Sequence, residues 1–292
     1  MYVFLCTTPL QVRIAQYLRA KHSDTKLIYI TESERFDTLS DIAKKKQEFY
    51  ALQCDGWVKL SSIEDITKLN FNEVDLSGIY YASFDNPFII TFVRKYSNVA
   101  CFSFDDGLAD VYTKGIYTNA VANYLKHKSL THYTFYDSIN HVILKDNLVK
   151  IDVVDVFGFS KSRRGLQSLK KKLTILLGEE ICVDPQLALN FNQPYLDTLG
   201  VDVYLPHPNS RFKIKSDKLE VTPLILEDYL LQKFEEYKEI EIYHFSSSAA
   251  IHLQDIDGLT FKGIKLKPLS SLQKEMELMG ASFEIIPIDY KL

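Results

Sequence analysis

The chain of 292 residues is 46% hydrophobic and 25% charged, which is typical of a folded globular protein and excludes a disordered or collagen-like chain. Its length predicts one large domain or two of modest size, and its formal net charge of −4 argues against a nucleic-acid-binding protein. Residues 1–6 lack the basic flank of a signal peptide, and no apolar run approaches the roughly 18 residues of a membrane span.

Short strand-like runs alternate with longer amphipathic segments through the first half of the chain. Residues 2–6 are typical of a strand, and Thr8 then caps a helix that has Pro9 at its first position. Further strands are predicted at 26–30, 79–83 and 99–104. Strands that alternate with helices predict βαβ units and a parallel sheet.

The same alternation starts again in the second half. Strands are predicted at 173–177, 201–205, 239–245 and 259–266, with helical sequence between them. We therefore expect an α/β protein of two similar halves with a cleft between them. The predicted boundaries are a first domain at 1–155, a linker at 156–172 and a second domain at 173–292.

The predicted linker is strongly basic and contains no acid between residues 159 and 172. Its charges are Lys161, Arg163, Arg164, Lys170, Lys171 and Lys172. We favour a solvated charge run at the surface. The alternative is contact with an anionic membrane surface, where each basic residue contributes about 1 kcal/mol.

The cysteines indicate neither a metal centre nor a redox motif. They stand at Cys6, Cys54, Cys101 and Cys182, and no pair has CxxC or zinc-like spacing. A reducing, cytoplasmic location fits this usage best.

Ligands of open α/β sheets bind outside the carboxyl ends of the strands, so the residues that follow each strand are the candidates. Asp105, Asp106 and Gly107 follow the strand at 99–104. Adjacent carboxylates repel, so one of them can have a raised pKa and act as a base. The alternative is an ordinary polar turn, because Asp-Gly is common turn chemistry.

Three candidates follow the first two strands of the second half. Gly178 would let a ligand approach the backbone, and Asp184 before Pro185 is either a functional carboxylate or a helix N-cap. His207 lies between Pro206 and Pro208, with Arg211 and Lys213 beyond. A rigidly held imidazole near cations suits a phosphate, and a buried structural histidine is the alternative.

Polar residues also surround the next helix and strand. Glu227 begins a helix, where it either accepts ribose hydroxyls or interacts with the helix dipole. Ser246, Ser247 and Ser248 follow the strand at 239–245. These hydroxyls predict an anion site, with a serine helix cap as the alternative.

Taken together, these stretches resemble the bacterial lipooligosaccharide and capsule sialyltransferases of glycosyltransferase family 52. The resemblance covers nearly the whole chain, from Leu10-Gln11 in the first helix to Leu266-Lys-Pro268. The other similar stretches are 79–83, 104–107, 175–178, 206–208, 226–230 and 241–251. Marine-type sialyltransferases share the acidic-acidic-Gly, His-Pro and serine motifs.

The resemblance implies a GT-B fold of two Rossmann-like domains that face a central cleft, the first on the acceptor side and the second binding the donor. It implies an inverting sialyltransferase that uses CMP-Neu5Ac, acts on a terminal galactoside of a surface glycan with α-2,3 linkage, and needs no metal or other cofactor. It is compatible with a homodimer and with peripheral contact at the inner face of the cell membrane, and nucleic acid is not an expected partner.

Residue roles follow from the same resemblance. His207 and Pro208, with Ser246, Ser247 and Ser248, would bind the CMP phosphate, and Glu227 would hold the ribose. Asp184 is the matching catalytic base in family 52, with Glu179 and Glu180 as competitors, whereas the marine-type family places the base at Asp106. Asp105, Gly107 and Gly178 would line the substrate site.

Two alternatives remain open from the sequence. A related GT-B transferase could use another nucleotide sugar, such as CMP-Kdo or a UDP-hexose. A non-catalytic protein could bind a nucleotide sugar without turnover, although the His-Pro and acidic residues are all present.

Overall fold

The computed structural model describes residues 1–111, 117, 120–137, 143, 145–159, 170–179, 185–210, 214 and 216–287. The chain divides into two units, one formed by 1–39 with 44–156 and the other by 40–43 with 157–292. Each unit contains its own sheet, and every strand pairing in the described chain is parallel.

The first sheet has seven strands. They are β1 Tyr2–Cys6, β2 Thr25–Glu32, β3 Gly56–Leu60, β4 Gly78–Tyr81, β5 Cys101–Phe104, β6 Ser129–Thr134 and β7 Leu148–Lys150. Their order across the sheet is β3-β2-β1-β4-β5-β6-β7. This doubly wound order reverses between β1 and β4, and that topological switch point is where such sheets bind ligands.

The helices of this stretch are α1 Pro9–Arg19, α2 Ser33–Thr38, α3 Asp41–Ala51, α4 Pro87–Lys95, α5 Ala120–Lys128 and α6 Val153–Phe157. Two of them, α1 and α4, begin at a side-chain cap with proline as the first residue. In α4, the side chain of Asn86 accepts from the backbone N–H groups of Phe88 at 3.0 Å and Ile89 at 3.2 Å, and Pro87 is the first residue. α1 begins in the same way, with Thr8 as N-cap before Pro9.

The second sheet has five strands. They are β8 Lys170–Leu177, β9 Val203–Leu205, β10 Tyr237–His244, β11 Leu259–Ile264 and β12 Phe283–Glu284, in the order β12-β11-β10-β8-β9. This order reverses between β8 and β10, which gives this unit its own switch point. The helices are α7 Pro185–Leu199, α8 Leu226–Lys233, α9 Ala249–His252 and α10 Ser270–Leu278.

Each sheet packs its own apolar core. In the first unit, Leu5, Ile28, Ile79 and Phe92 are all at most 1% exposed and belong to one cluster. The core of the second unit is built around Leu176, Tyr204, Phe245 and Ile264. Buried runs of this kind cover both faces of parallel strands and explain why the central strands are almost continuously apolar in sequence.

The strand at 170–177 begins earlier than predicted. Its first three residues were assigned to the basic linker, but they pair with β10 from Lys170 onward. The Lys172 ammonium also lies 3.0 Å from the carboxylate of Glu241 on β10. Lys161, Arg163 and Arg164 lie outside the described residues. None of the helices in the described part of the chain combines the length and apolar character that a bilayer span requires.

Candidate functional site

In the first unit, three strand ends meet around the carboxylate of Asp106. Its Oδ1 accepts a hydrogen bond from Nε2 of Gln11 at 2.5 Å. Its Oδ2 accepts from the hydroxyls of Ser83 at 2.9 Å and Tyr117 at 2.7 Å. Gln11 follows β1, Ser83 follows β4 and Asp106 follows β5, so the carboxylate lies beside the switch point of the first sheet.

The neighbouring carboxylate of Asp105 points into the protein interior. Its Oδ1 lies 3.1 Å from Nε2 of His132, and its Oδ2 accepts the backbone N–H of Phe135 at 2.6 Å. His132 Nδ1 lies 2.8 Å from Oγ of Ser103. Asp105 and His132 are both 0% exposed. Asp105 was predicted to contact substrate, but in this geometry it anchors the end of β5 to the segment that follows β6.

A tight turn brings a third carboxylate against this pair. Gly107 has φ 72°, a left-handed conformation that glycine adopts without strain. The turn lets Oδ2 of Asp110 accept the backbone N–H of Asp106 at 2.5 Å. Burial raises the pKa of Asp110 well above its ordinary value, and the charges of Asp105 and Asp106 raise it further. The structure therefore locates a raised carboxyl pKa at Asp110, four residues beyond Asp106.

This cluster also contains the atoms that could hold a cation. Asp105, Asp110 and His132 each place one potential ligand atom within 4.8 Å of the others, and all three are buried. The spacing of these residues in sequence did not reveal the group, because the ends of two different strands supply it. In this structure the two oxygens of Asp105 lie within hydrogen-bonding distance of His132 and of the Phe135 backbone N–H.

In the second unit, Gly178 and His207 lie against each other at the ends of β8 and β9. A Cβ added at Gly178 would lie 2.4 Å from the hydroxyl of Tyr204 and 3.0 Å from the backbone nitrogen of His207. The Gly178 N–H also donates to the carbonyl of Leu205 at 2.7 Å. Glycine is therefore required because Tyr204 and His207 approach this position closely, whereas the sequence analysis predicted the approach of a ligand. Asp184 lies outside the described residues, as do Glu180, Arg211 and Lys213.

The His207 ring has a defined tautomer in this arrangement. The backbone N–H of Asn209 donates to its Nδ1 at 3.2 Å. Because Nδ1 acts as the acceptor, the proton of the neutral ring lies on Nε2. The side chain is half-buried, and Pro208 is half-buried beside it. His207 therefore has the form of a hydrogen-bond donor through Nε2.

The serines that follow β10 are half-buried, and one of them is bound to a carboxylate. The hydroxyl of Ser246 donates to Oε2 of Glu179. Glu179 is itself held by Asn192, whose Oδ1 accepts the Glu179 N–H at 3.1 Å and whose Nδ2 donates to the Glu179 carbonyl at 3.0 Å. These groups lie where β8 and β10 end, at the switch point of the second sheet.

The serine stretch does not work as a helix cap or as a strong helix N-terminus. Ser248 precedes α9, but its side chain makes no capping hydrogen bond. α9 is only four residues long, so its dipole is small. Any anion bound here would therefore depend on the hydroxyl groups of Ser247 and its neighbours rather than on the helix.

Glu227 is held by a histidine that the sequence did not single out. Glu227 is 5% exposed, and its Oε1 lies 2.9 Å from Nε2 of His252, whose side chain is 0% exposed. The ring of Phe157 stacks on His252 with centroids 6.4 Å apart. The helix-dipole alternative does not account for this buried pair, because a carboxylate at an exposed helix end needs no such partner.

Sequence reasoning missed Gln11, Ser83, Tyr117, Asn192 and His252 as members of these clusters. The strand-end rule could have found the first two, since Gln11 follows the predicted strand at 2–6 and Ser83 is the last residue of the predicted strand at 79–83. Tyr117 and Asn192 carry no local signal, because only the tertiary structure brings them to Asp106 and Glu179.

Comparisons with known proteins show the family and the fold of this chain. The chain matches the family model for Glycosyltransferase family 52 over residues 24–269. It is 22% identical to CMP-N-acetylneuraminate:beta-galactoside alpha-2,3-sialyltransferase from Pasteurella multocida (strain Pm70), covering 91% of this chain and 92% of that protein. It is 23% identical to N-acetyllactosaminide alpha-2,3-sialyltransferase from Neisseria meningitidis serogroup A / serotype 4A (strain DSM 15465 / Z2491), covering 90% of this chain and 78% of that protein.

The fold is also found in solved structures. A putative UDP-N-acetylglucosamine 2-epimerase from Listeria monocytogenes matches with a TM-score of 0.56 at 8% identity, covering 94% of this chain and 81% of that one. Together with the two parallel α/β sheets, this match confirms the expected GT-B fold class. Because the family model spans most of the sequence, the chain belongs to glycosyltransferase family 52.

Proposed function

We propose that this glycosyltransferase is an inverting sialyltransferase that moves sialic acid from CMP-Neu5Ac to the terminal galactose of a surface glycan, with α-2,3 linkage. The observation that carries the proposal is the similarity to two alpha-2,3-sialyltransferases over 90% or more of this chain. The lipooligosaccharide or the capsule of a bacterium is the proposed source of the acceptor.

The donor would bind to the second unit through the residues at its switch point. As the bond between the sugar and the phosphate breaks, negative charge develops on the phosphate. His207 would donate from Nε2 to that phosphate, and the hydroxyls after β10 would assist, because donors aimed at developing charge lower the barrier. Glu227, oriented by His252, would accept the ribose hydroxyls.

Ser246 must change its partner to take part in this binding. Its hydroxyl proton points to Glu179 in this structure, so it would turn from the carboxylate to the phosphate when the donor binds. Ser247 would not have to exchange this hydrogen bond with Glu179 before it contacts the phosphate. We therefore assign Ser247 the more direct contact and Ser246 a contact that follows exchange of its hydrogen bond.

Transfer would take place in one displacement. The acceptor hydroxyl oxygen forms the new bond to the anomeric carbon while the bond to the phosphate oxygen breaks, and CMP leaves with the electron pair. A carboxylate takes the hydroxyl proton. We propose Asp184 for this base and Asp106 as its alternative. β-Linked CMP-sialic acid then yields an α-sialoside, and we propose that no metal takes part.

The test is to incubate the protein with CMP-Neu5Ac and a panel of labelled galactosides and to determine the product linkage by NMR. We expect an α-2,3-sialoside and release of CMP. Parallel reactions with CMP-Kdo and UDP-hexoses examine the other donor class. Binding of CMP without turnover of any donor would instead favour a non-catalytic nucleotide-sugar-binding protein.

We further propose that the protein acts in the cytoplasm and contacts the inner membrane through the basic residues before β8. The charges of Lys161, Arg163 and Arg164 support this idea. Replacing these three residues by Gln should weaken binding to vesicles that contain anionic lipid, while turnover of a soluble acceptor stays unchanged. Wild-type protein that does not bind such vesicles at low salt would leave a solvated charge run as the explanation. We also propose that the protein forms a homodimer, and light scattering would measure its mass in solution.

A further inference from the structure

We infer that Gln11 is a positioning residue that orients the Asp106 carboxylate toward the acceptor. This inference rests on the proposed function, with Asp106, the alternative base, as the carboxylate that accepts the acceptor's proton. Gln11 lies in the first turn of α1, beside the switch point of the first sheet. In this role it acts on Asp106 and does not itself contact the substrate. A closed set of hydrogen bonds surrounds the buried Gln11 amide.

Both ends of the Gln11 amide have defined partners. Its Oε1 accepts the backbone N–H of Thr7 at 2.7 Å and lies 3.2 Å from the Thr7 hydroxyl. Its Nε2 donates to Ser83 at 2.9 Å and to Asp106 at 2.5 Å. Rotating the amide by 180° would place Oε1 against a carboxylate and Nε2 against an N–H, so the environment permits one orientation.

The burial of Gln11 makes this orientation energetically important. The side chain is 0% exposed, and a buried amide that lost its partners would cost free energy. Asp106, in contrast, is half-buried. The carboxylate is therefore fixed from the protein side by Gln11, Ser83 and Tyr117 while keeping an exposed side. Oδ2 already accepts two hydrogen bonds, whereas Oδ1 accepts one from Gln11. Because a carboxylate oxygen has two acceptor positions, Oδ1 can still accept a substrate hydroxyl.

A purely structural brace is the competing explanation, because Gln11 also links the ends of β1, β4 and β5. The two explanations predict different pH behaviour. If Gln11 acts through Asp106, an added negative charge at position 11 favours protonation of the facing carboxylate, and the acidic limb of the rate profile moves to higher pH. A brace would change stability without moving that limb.

The experiment compares Gln11→Glu with Gln16→Glu on the same helix. Gln16 is half-buried and contacts Arg13 and Gln53, away from Asp106. For Gln11→Glu we expect kcat/KM for the acceptor to fall about 10- to 100-fold, with the acidic limb displaced upward by about one pH unit and the KM for CMP-Neu5Ac within about twofold of wild type. Gln16→Glu should behave as wild type.

The double variant Gln11→Glu/Asp106→Asn exchanges the amide and the carboxylate. The new amide can donate to the new carboxylate, so the melting temperature should recover relative to Gln11→Glu alone. If Gln11→Glu does not fold, Gln11→Met removes the donor without adding charge, and the same loss of turnover is expected. A variant with wild-type turnover and an unmoved pH profile would overturn the inference.

Transfer of sialic acid by the wild-type protein distinguishes a failure of this inference from a failure of the proposed function. Wild-type protein that transfers no sialic acid overturns the proposed function and this inference with it. Wild-type protein that is active, together with Gln11→Glu that is equally active, overturns only the role of Gln11.

Discussion

His207 illustrates how a backbone contact can prepare a side chain for chemistry. The Asn209 N–H occupies Nδ1 and leaves the proton on Nε2. The prolines on either side restrict the backbone of this segment. A histidine held in this way can donate from Nε2 to a departing phosphate.

We predict that His207→Ala lowers transfer about 10²- to 10³-fold, because it removes a donor to charge that develops in the transition state. Initial rates with saturating CMP-Neu5Ac provide the measurement. His127→Ala is the matched control, since His127 is exposed on α5. A rate for His207→Ala close to that of the control would contradict the assignment.

The base is tested by a pair of substitutions that keep shape and remove the carboxylate. Asp184→Asn should lower transfer about 10²- to 10⁴-fold, the usual contribution of a general base, while CMP binding measured by calorimetry stays nearly intact. If Asp106→Asn abolishes transfer and Asp184→Asn does not, the base is Asp106 and Asp184 is only a helix cap.

His244 connects a single buried residue to the stability of the second unit. Burial lowers its pKa to about 4, and it packs between the ring edges of Phe261 and Phe283. The pKa of a histidine in the unfolded chain is about 6.5. The folded state therefore favours the neutral ring, and stability is lost as pH falls from about 6.5 toward 4.

We predict that this histidine alone costs about 3 kcal/mol of the free energy of unfolding over that pH range. Urea unfolding of wild type and of His244→Leu at pH 4 to 8 would measure the cost. The variant should lose less stability on acidification, by about that amount. If the free energy of unfolding falls equally with pH in the two proteins, His244 is not responsible for the loss of stability in acid.

At the level of elements, the side chains of a neighbouring strand determine where glycine is required. Just after β8, the hydroxyl of Tyr204 on β9 lies so close to Gly178 that a Cβ would clash with it. Gly56, at the start of β3, is a useful contrast, because a Cβ added there meets no atom within 4 Å among the described residues.

Gly178→Ala should therefore destabilise the protein by about 1–3 kcal/mol, the usual cost of overpacking, and should also reduce transfer by displacing the backbone of His207. Gly56→Ala should be close to neutral in both assays. Thermal unfolding and transfer rates of the two variants provide the comparison. Equal effects at both positions would show that close approach is not the reason for glycine at 178.

The element scale also shows which strands the sequence could reveal. The sequence predicted β1, β4 and β8 from their apolar runs and β10 from the alternation of apolar and polar residues over 239–245. β6 was not predicted, since the residues that it buries are polar: Ser129, His132 and Thr134. Its hydrogen bonds to Ser103 and Asp105 replace the apolar contacts on which a sequence pattern depends.

At the scale of the whole molecule, the fold brings together three residues that could bind a cation. Asp105, Asp110 and His132 could supply a ligand set, and hydrogen bonds join Asp105 and His132 to each other, to Ser103 and to the Phe135 backbone. We predict that transfer survives treatment with EDTA. Loss of activity on chelation, restored by Mn²⁺ or Mg²⁺, would contradict the prediction, and a melting curve of the chelated protein would control for unfolding.

The sequence by itself determined the α/β class, most central strands, the capped helices and the resemblance to family 52, because apolar periodicity, caps and short motifs are local properties. Only the tertiary structure decided which polar groups meet. Gln11 lies 72 residues from Ser83 and 95 from Asp106, and parallel pairing brings their strand ends to one edge of the sheet. It also decided that Asp105 is buried while Asp106 keeps an exposed side. The physical reason is that the two side chains leave the end of β5 in different directions, one into the core and one toward the switch point.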